Sequence, residues 1–235
     1  MCIRDRPRGG GKPTFQYPAV PASRATTIYL ADKPGAAQST FAIGTTGPPR
    51  STSDYFALQV MNTILGGMFQ SRLNANIREE KGYSYGVSSV FAYGKGPGAF
   101  RAGGDIVAAK SDAALMEFMK ELRGIRGERP ITDEELSTAK NALTQRLPGT
   151  FASAQSINNA IVSLWTQGLP DDYYQQYAAR IAAVQRDDVV RVARQYVDVD
   201  HLVIVIVGDR STIEGPLRAI RVAPIAITDI EGNPQ

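Results

Sequence analysis

Late in the chain, Leu202–Val207 is an unbroken run of apolar, largely β-branched residues. A segment so short and so apolar reads as a central strand buried on both faces of a sheet. It arrives after a long block of helical periodicity, so its partner strands must come from much earlier. Thr27–Leu30 and Ser39–Ile43 fit, parted by the turn-forming Asp32-Lys33-Pro34-Gly35. Two further strands are expected at about Tyr83–Tyr93 and Ala99–Val107, joined as a hairpin through Gly94-Lys95-Gly96-Pro97-Gly98. Strands, then helices, then a returning strand predict an α+β fold, with helices packed on one face of a mostly antiparallel sheet.

The helices announce themselves by caps and stripes. Ser51–Asp54 offers N-cap residues ahead of a helix with Ala57, Val60, Met61, Ile64 and Leu65 on one face. Ser111 is expected to cap a helix striped by Leu115, Phe118, Met119, Leu122 and Ile125. Thr132 and Glu135 form a capping box, with Ile131 and Leu136 placed as a hydrophobic staple. Further helices are expected over about Ala152–Trp165, Asp171–Val184 and Asp187–Val197, with Trp165 as a core or interface residue.

The domain organisation follows from these patterns. Residues 1–12 (MCIRDRPRGGGK) read as a non-native or disordered tail, 13–24 as a linker, 25–221 as one α+β domain and 222–235 as a loose tail. A unit of this size buries about 70% of its unfolded surface, so it needs no disulfide or metal staple.

Composition excludes several kinds of function. The net charge is +3, and Arg4, Arg6, Arg8 and Lys12, offset by Asp5, carry that excess in the tail. The body is close to neutral and shows no nucleic-acid footprint. No segment approaches the roughly 18 consecutive apolar residues of a membrane span. Cys2 is the only cysteine and His201 the only histidine. An all-protein zinc site, which takes about four ligands drawn mainly from nitrogen and sulfur, is therefore not expected. His201, beside Asp198 and Asp200, reads as a surface or hydrogen-bonded structural residue. Gly82-Tyr83-Ser84-Tyr85-Gly86 spells a nucleophile elbow by letter. It opens a hairpin strand, however, where the elbow needs a strand-to-helix turn, so Ser84 is not expected to attack anything.

The chemically informative stretch is Leu65–Val87, LGGMFQSRLNANIREEKGYSYGV. Phe69, Leu73 and Ile77 form one apolar helical stripe, and Gly82 ends the helical pattern. Arg78 lies off that stripe, seven positions before Tyr85. Glu79 and Glu80 are placed to pair with Arg78 or Lys81. A planar guanidinium fork and a phenol at one helix-to-strand junction can act together on a carbonyl group. They can equally be a solvated arginine and a half-buried strand tyrosine.

Gly-Gly-x-Phe-x-Ser-Arg-Leu (Gly66 to Leu73), Arg-Glu-Glu-Lys-Gly-Tyr-Ser-Tyr-Gly (Arg78 to Gly86) and Ile-Val-Ile-Val-Gly-Asp (Ile204 to Asp209) resemble the insulinase/pitrilysin family of inverted-motif zinc peptidases. The resemblance is to the C-terminal domain or subunit of its bacterial and mitochondrial-processing-peptidase-like branch, and it spans about Thr27 to Asp209. It implies half of a clamshell, a non-catalytic domain that lacks His-x-x-Glu-His and is inactive alone. Zinc is expected in a homologous partner domain or subunit, fused or separate, and a peptide is the expected substrate. The resemblance further implies that Tyr85 donates to the scissile carbonyl oxygen as it becomes tetrahedral, while Arg78 anchors a neighbouring substrate carbonyl. Tyr83, two residues along, is expected on Tyr85's side of the pleat as a groove residue. The alternative is a catalytically silent scaffolding domain of the same fold. Export to a periplasm is common among bacterial relatives, but nothing in the sequence encodes the compartment.

Overall fold

The computed structural model describes residues 24–235, with Tyr17 and Val20 before them. The tail expected over residues 1–12, Cys2 within it, and most of the linker expected over 13–24 lie outside the described residues.

Six strands form one mixed sheet: β1 (Thr27–Asp32), β2 (Gln38–Gly47), β3 (Ser84–Ala92), β4 (Gly98–Val107), β5 (Val203–Gly208) and β6 (Ile225–Thr228). Their order is β3-β4-β2-β5-β1-β6. The pairs β3–β4, β4–β2 and β2–β5 are antiparallel, while β5–β1 and β1–β6 are parallel. The late apolar run does insert centrally, between β2 and β1, but it is not buried on both faces. Ile204 and Ile206 are fully buried, whereas Val203 is 46% exposed. The reason is layering: Ile28, Leu30, Phe41, Ile43, Phe100, Ile106, Ile204 and Ile206 point into one core. Tyr29, Val90 and Val203 alternate to the opposite, open face.

Helices α1 (Tyr55–Asn62), α2 (Arg72–Asn74), α3 (Ser111–Arg123), α4 (Asp133–Arg146), α5 (Ala154–Gln167), α6 (Tyr173–Ala183), α7 (Arg186–Tyr196) and α8 (Arg210–Ala219) complete the fold. The α1 stripe behaves as its spacing predicts, with Ala57, Val60, Met61, Ile64 and Leu65 all buried. So does the α3 stripe, from Leu115 through Ile125. At α4 the Thr132 side chain accepts from the Glu135 N–H at 3.1 Å, and the Glu135 carboxylate accepts from the Thr132 N–H at 2.9 Å. Ser111 does not cap α3: it is the helix's first residue, and its hydroxyl lies 2.9 Å from that of Ser39 on β2.

Three expectations are corrected by tertiary contacts. Phe69 leaves the Leu73–Ile77 stripe, because α2 begins only at Arg72; Leu73 and Ile77 are fully buried and Phe69 is 62% exposed. Trp165 is 82% exposed, which rules out a core role within this chain. Within residues 222–235, the expected loose tail, Ile225–Thr228 forms β6 beside β1, a pairing supplied by backbone groups that leave no mark on sequence periodicity. Helix α8 carries Pro216 and was not expected from the sequence; Ile213 and Leu217 anchor it to the core.

Candidate functional site

The segment carrying Arg78 and Tyr85 is framed by two π-helical turns, Thr63–Gly67 and Ala75–Glu80. Such turns widen a helix locally and recur at functional sites. The first can lie against β3 only because residue 66 is a glycine. A Cβ there would fall 2.5 Å from the Ser89 backbone nitrogen, closer than packed atoms tolerate. The second turn ends at Gly82, whose φ of +65° only glycine adopts readily. Its closing bonds run from Tyr83 N–H to Ile77 O at 2.9 Å and from Gly82 N–H to Arg78 O at 3.1 Å.

A β-bulge follows. Ser84 pairs with Ile106 and Val87 with Gly104, so Tyr85 and Gly86 together oppose Asp105 alone. In an unbroken strand, Tyr85 would share the inward parity of Val87, Ser89 and Phe91, all buried. The extra residue turns it outward, and the Tyr85 ring is 90% exposed. Ser84 clasps the bulge from within, its hydroxyl donating to the Asp105 carbonyl at 2.6 Å and accepting from the Gly86 N–H at 3.0 Å. That is a structural use of Ser84.

Arg78 is held more tightly. Its guanidinium carbon lies 4.2 Å over the Phe69 ring, a cation–π stack. Nη1 is 2.8 Å from Glu79 Oε1, and the Arg78 side chain is 31% exposed. That nitrogen is buried, and its contact with Glu79 lacks the geometry of a good hydrogen bond. Lys81 and Glu80 pair at 2.8 Å, completing the pairing expected of the acidic doublet. No hydrogen bond or ring contact joins Arg78 directly to Tyr85 among the described residues. The two share a junction, not a contact. Tyr83 lies in a different environment from Tyr85: it packs partly against the core, with Lys110 Nζ 5.9 Å from its ring.

Sequence reasoning passed over Arg72 and Asn74, both 5% exposed. Arg72 is bidentate to Glu135, Nε to Oε1 at 2.6 Å and Nη2 to Oε2 at 2.8 Å, and also donates to the Pro130 carbonyl at 3.0 Å. It ties α2 to the capping box of α4. Burial, the largest single influence on Glu135, pushes its pKa up. The Arg72 and Thr132 hydrogen bonds and the charges of Arg72 and Arg129 together outweigh it, leaving the carboxyl below its ordinary 4.5. Nothing in residue type distinguished Arg72 from a surface arginine; only its position before the buried Leu73 hinted at burial.

His201 Nδ1 lies 2.7 Å from Asp198 Oδ2 at an exposed turn. Among the described residues no group of three or more His, Cys, Asp or Glu side chains could hold a metal ion. The donor set does not fit zinc.

The sequence profile of the peptidase M16 inactive domain matches residues 3–143. An uncharacterized zinc protease of Streptomyces coelicolor is 31% identical over 156 residues, 65% of this chain and 33% of that protein. The crystal structure of a peptidase M16 inactive domain from Pseudomonas fluorescens superposes with a TM-score of 0.75 at 26% identity, covering 84% of this chain and 47% of that one. An inactive peptidase domain from Bordetella parapertussis shares the fold, with a TM-score of 0.61 at 19% identity over 80% of this chain and 96% of its own. The chain thus spans about a third of the Streptomyces protein and about half of the Pseudomonas one.

Proposed function

The chain belongs to the peptidase M16 inactive-domain family, and we propose that it is the substrate-clamping half of a zinc-dependent peptidase. Its zinc ligands then lie on a homologous partner domain or subunit, in keeping with the described residues of this chain offering no group that could hold the ion. One observation carries the reading: a β-bulge turns Tyr85 out of the core parity and leaves its ring 90% exposed. An exposed tyrosine gains nothing for folding. A phenol presented to solvent in this way can donate to an oxyanion as charge develops on a peptide carbonyl. Arg78, stacked on Phe69 with its side chain 31% exposed, anchors a neighbouring backbone carbonyl of the peptide through the exposed part of its guanidinium. The protein's contribution is position and hydrogen bonding, with no bond made or broken on its own side chains.

The test is reconstitution with the zinc-bearing half and turnover of a quenched peptide. Tyr85→Phe and Arg78→Ala are both expected to lower turnover while leaving folding intact. Unchanged turnover in both variants would leave the second reading, a catalytically silent scaffold. One observation favours that alternative: Arg78 is already engaged by Glu79 and Phe69 within the chain.

A further inference from the structure

One buried amide touches the supports of both the arginine and the tyrosine. Asn74 closes α2 and is 5% exposed. Its Nδ2 donates to the Phe69 carbonyl at 2.9 Å, and its Oδ1 accepts from the Val87 N–H at 3.1 Å. The amide orientation is fixed by chemistry, because the flipped form would set oxygen against carbonyl and NH₂ against N–H. Both partners are backbone groups, so the side chain sets the distance between two stretches of main chain. One stretch carries Phe69, on which Arg78 stacks. The other begins at Val87, where the strand re-enters its ladder after the bulge that presents Tyr85.

From this geometry we infer that Asn74 is a positioning residue that fixes Arg78 and Tyr85 relative to each other. The inference rests on the clamping role proposed above. A bulge takes N–H groups off the ladder, and a buried one must find an acceptor elsewhere. Asn74 supplies it from the very helix whose next turn holds Arg78. An apolar residue would fill the same space and release both segments. Ser84 ties the start of the bulge to the Asp105 carbonyl, so Ser84 and Asn74 hold the main chain on either side of Tyr85. Asn74 itself touches no substrate. It acts through the backbone that carries the residues that do.

The experiment is a double-mutant cycle in the assembled peptidase, this chain with its zinc-bearing half, reading kcat and KM on a quenched peptide. Asn74→Ala is expected to lower kcat by roughly 10²-fold, as misplacement of a reacting group does, with KM little changed. In a Tyr85→Phe background the same substitution should change little further, since the group it positions is gone. Asn74→Asp, which keeps an acceptor for the Val87 N–H, should recover part of the lost kcat. A purely structural role would give losses that add in full to those of Tyr85→Phe, and that result overturns the inference, as does wild-type kcat in Asn74→Ala. Should Asn74→Ala fail to fold, Asn74→Asp and Ser84→Ala carry the same cycle. Full turnover in both Tyr85→Phe and Arg78→Ala sinks the clamping role and this inference together. A normal Tyr85→Phe loss with no Asn74 effect sinks this inference alone.

Discussion

Tyr85 and Tyr83 are two positions apart, yet they are in different situations. Alternation along a strand groups residues by parity, and on that basis Tyr85 belongs with the buried Val87, Ser89 and Phe91. One inserted residue, opposite Asp105, moves it to solvent. We expect Tyr85→Phe to lower kcat of the reconstituted peptidase by roughly 10²–10³-fold, the usual loss for one oxyanion donor. Its thermal midpoint should match the parent, because the hydroxyl of a residue 90% exposed is hydrated in both states. Parallel measurement of melting and turnover separates the two effects. Arg72 behaves in the opposite way. Its side chain is 3% exposed and satisfied by Glu135 and two backbone carbonyls, so Arg72→Met should destabilise the fold by about 3 kcal/mol. That is the lower end for breaking a buried ion pair, since Glu135 keeps partial access to water. Urea unfolding of both forms measures it.

At the scale of elements, the site is shaped by where helices stop and strands resume. The π-helical turn Thr63–Gly67 lies directly on β3, so Gly66→Ala must push Cβ into Ser89. Overpacking of this kind costs about 1–3 kcal/mol, and it should also disturb β3 next to the bulge. A fall in urea midpoint together with lower turnover would show both. The α2–α4 tie adds a pH dependence. Glu135 is held below its ordinary 4.5, so its ionised form is favoured by folding. That contribution is complete above pH about 4.5 and is lost as the pH falls through the depressed folded value. A melting series from pH 6 down to about 3 should therefore steepen for the parent relative to Glu135→Gln. Equal slopes in the two proteins would contradict the assignment. The capping box that places Glu135 was legible in sequence as Thr132-x-x-Glu135. Its second use, as the counter-ion of Arg72, was not, because sixty-odd residues separate the partners and no period links them.

At the scale of the molecule, the open face of the sheet and the outer side of α5 remain apolar, with Val203, Val90, Ile161 and Trp165 exposed. Trp165 is the single tryptophan of the chain, which makes it a clean reporter. The chain by itself should show the red-shifted emission of a solvated indole, with free access for acrylamide. A blue-shifted, shielded indole in the isolated chain would contradict the fold.

The sequence by itself determined most of the elements, α8 and β6 apart, and the layer to which they belong. Caps, stripes and turn residues are local signals, and they act within three or four residues of each other. This is why the α3 stripe, the Thr132 box and the β3–β4 hairpin were all readable, and why the motifs from Gly66 to Gly86 pointed to the right family. Tertiary structure alone decided the parallel pairing of β6 on β1, the departure of Phe69 from its helical stripe, and the outward turn of Tyr85. Each depends on backbone hydrogen bonds or packing between residues distant in sequence. A main-chain N–H is the same on every residue but proline, so the letters do not say which strand, or which buried amide, will claim it.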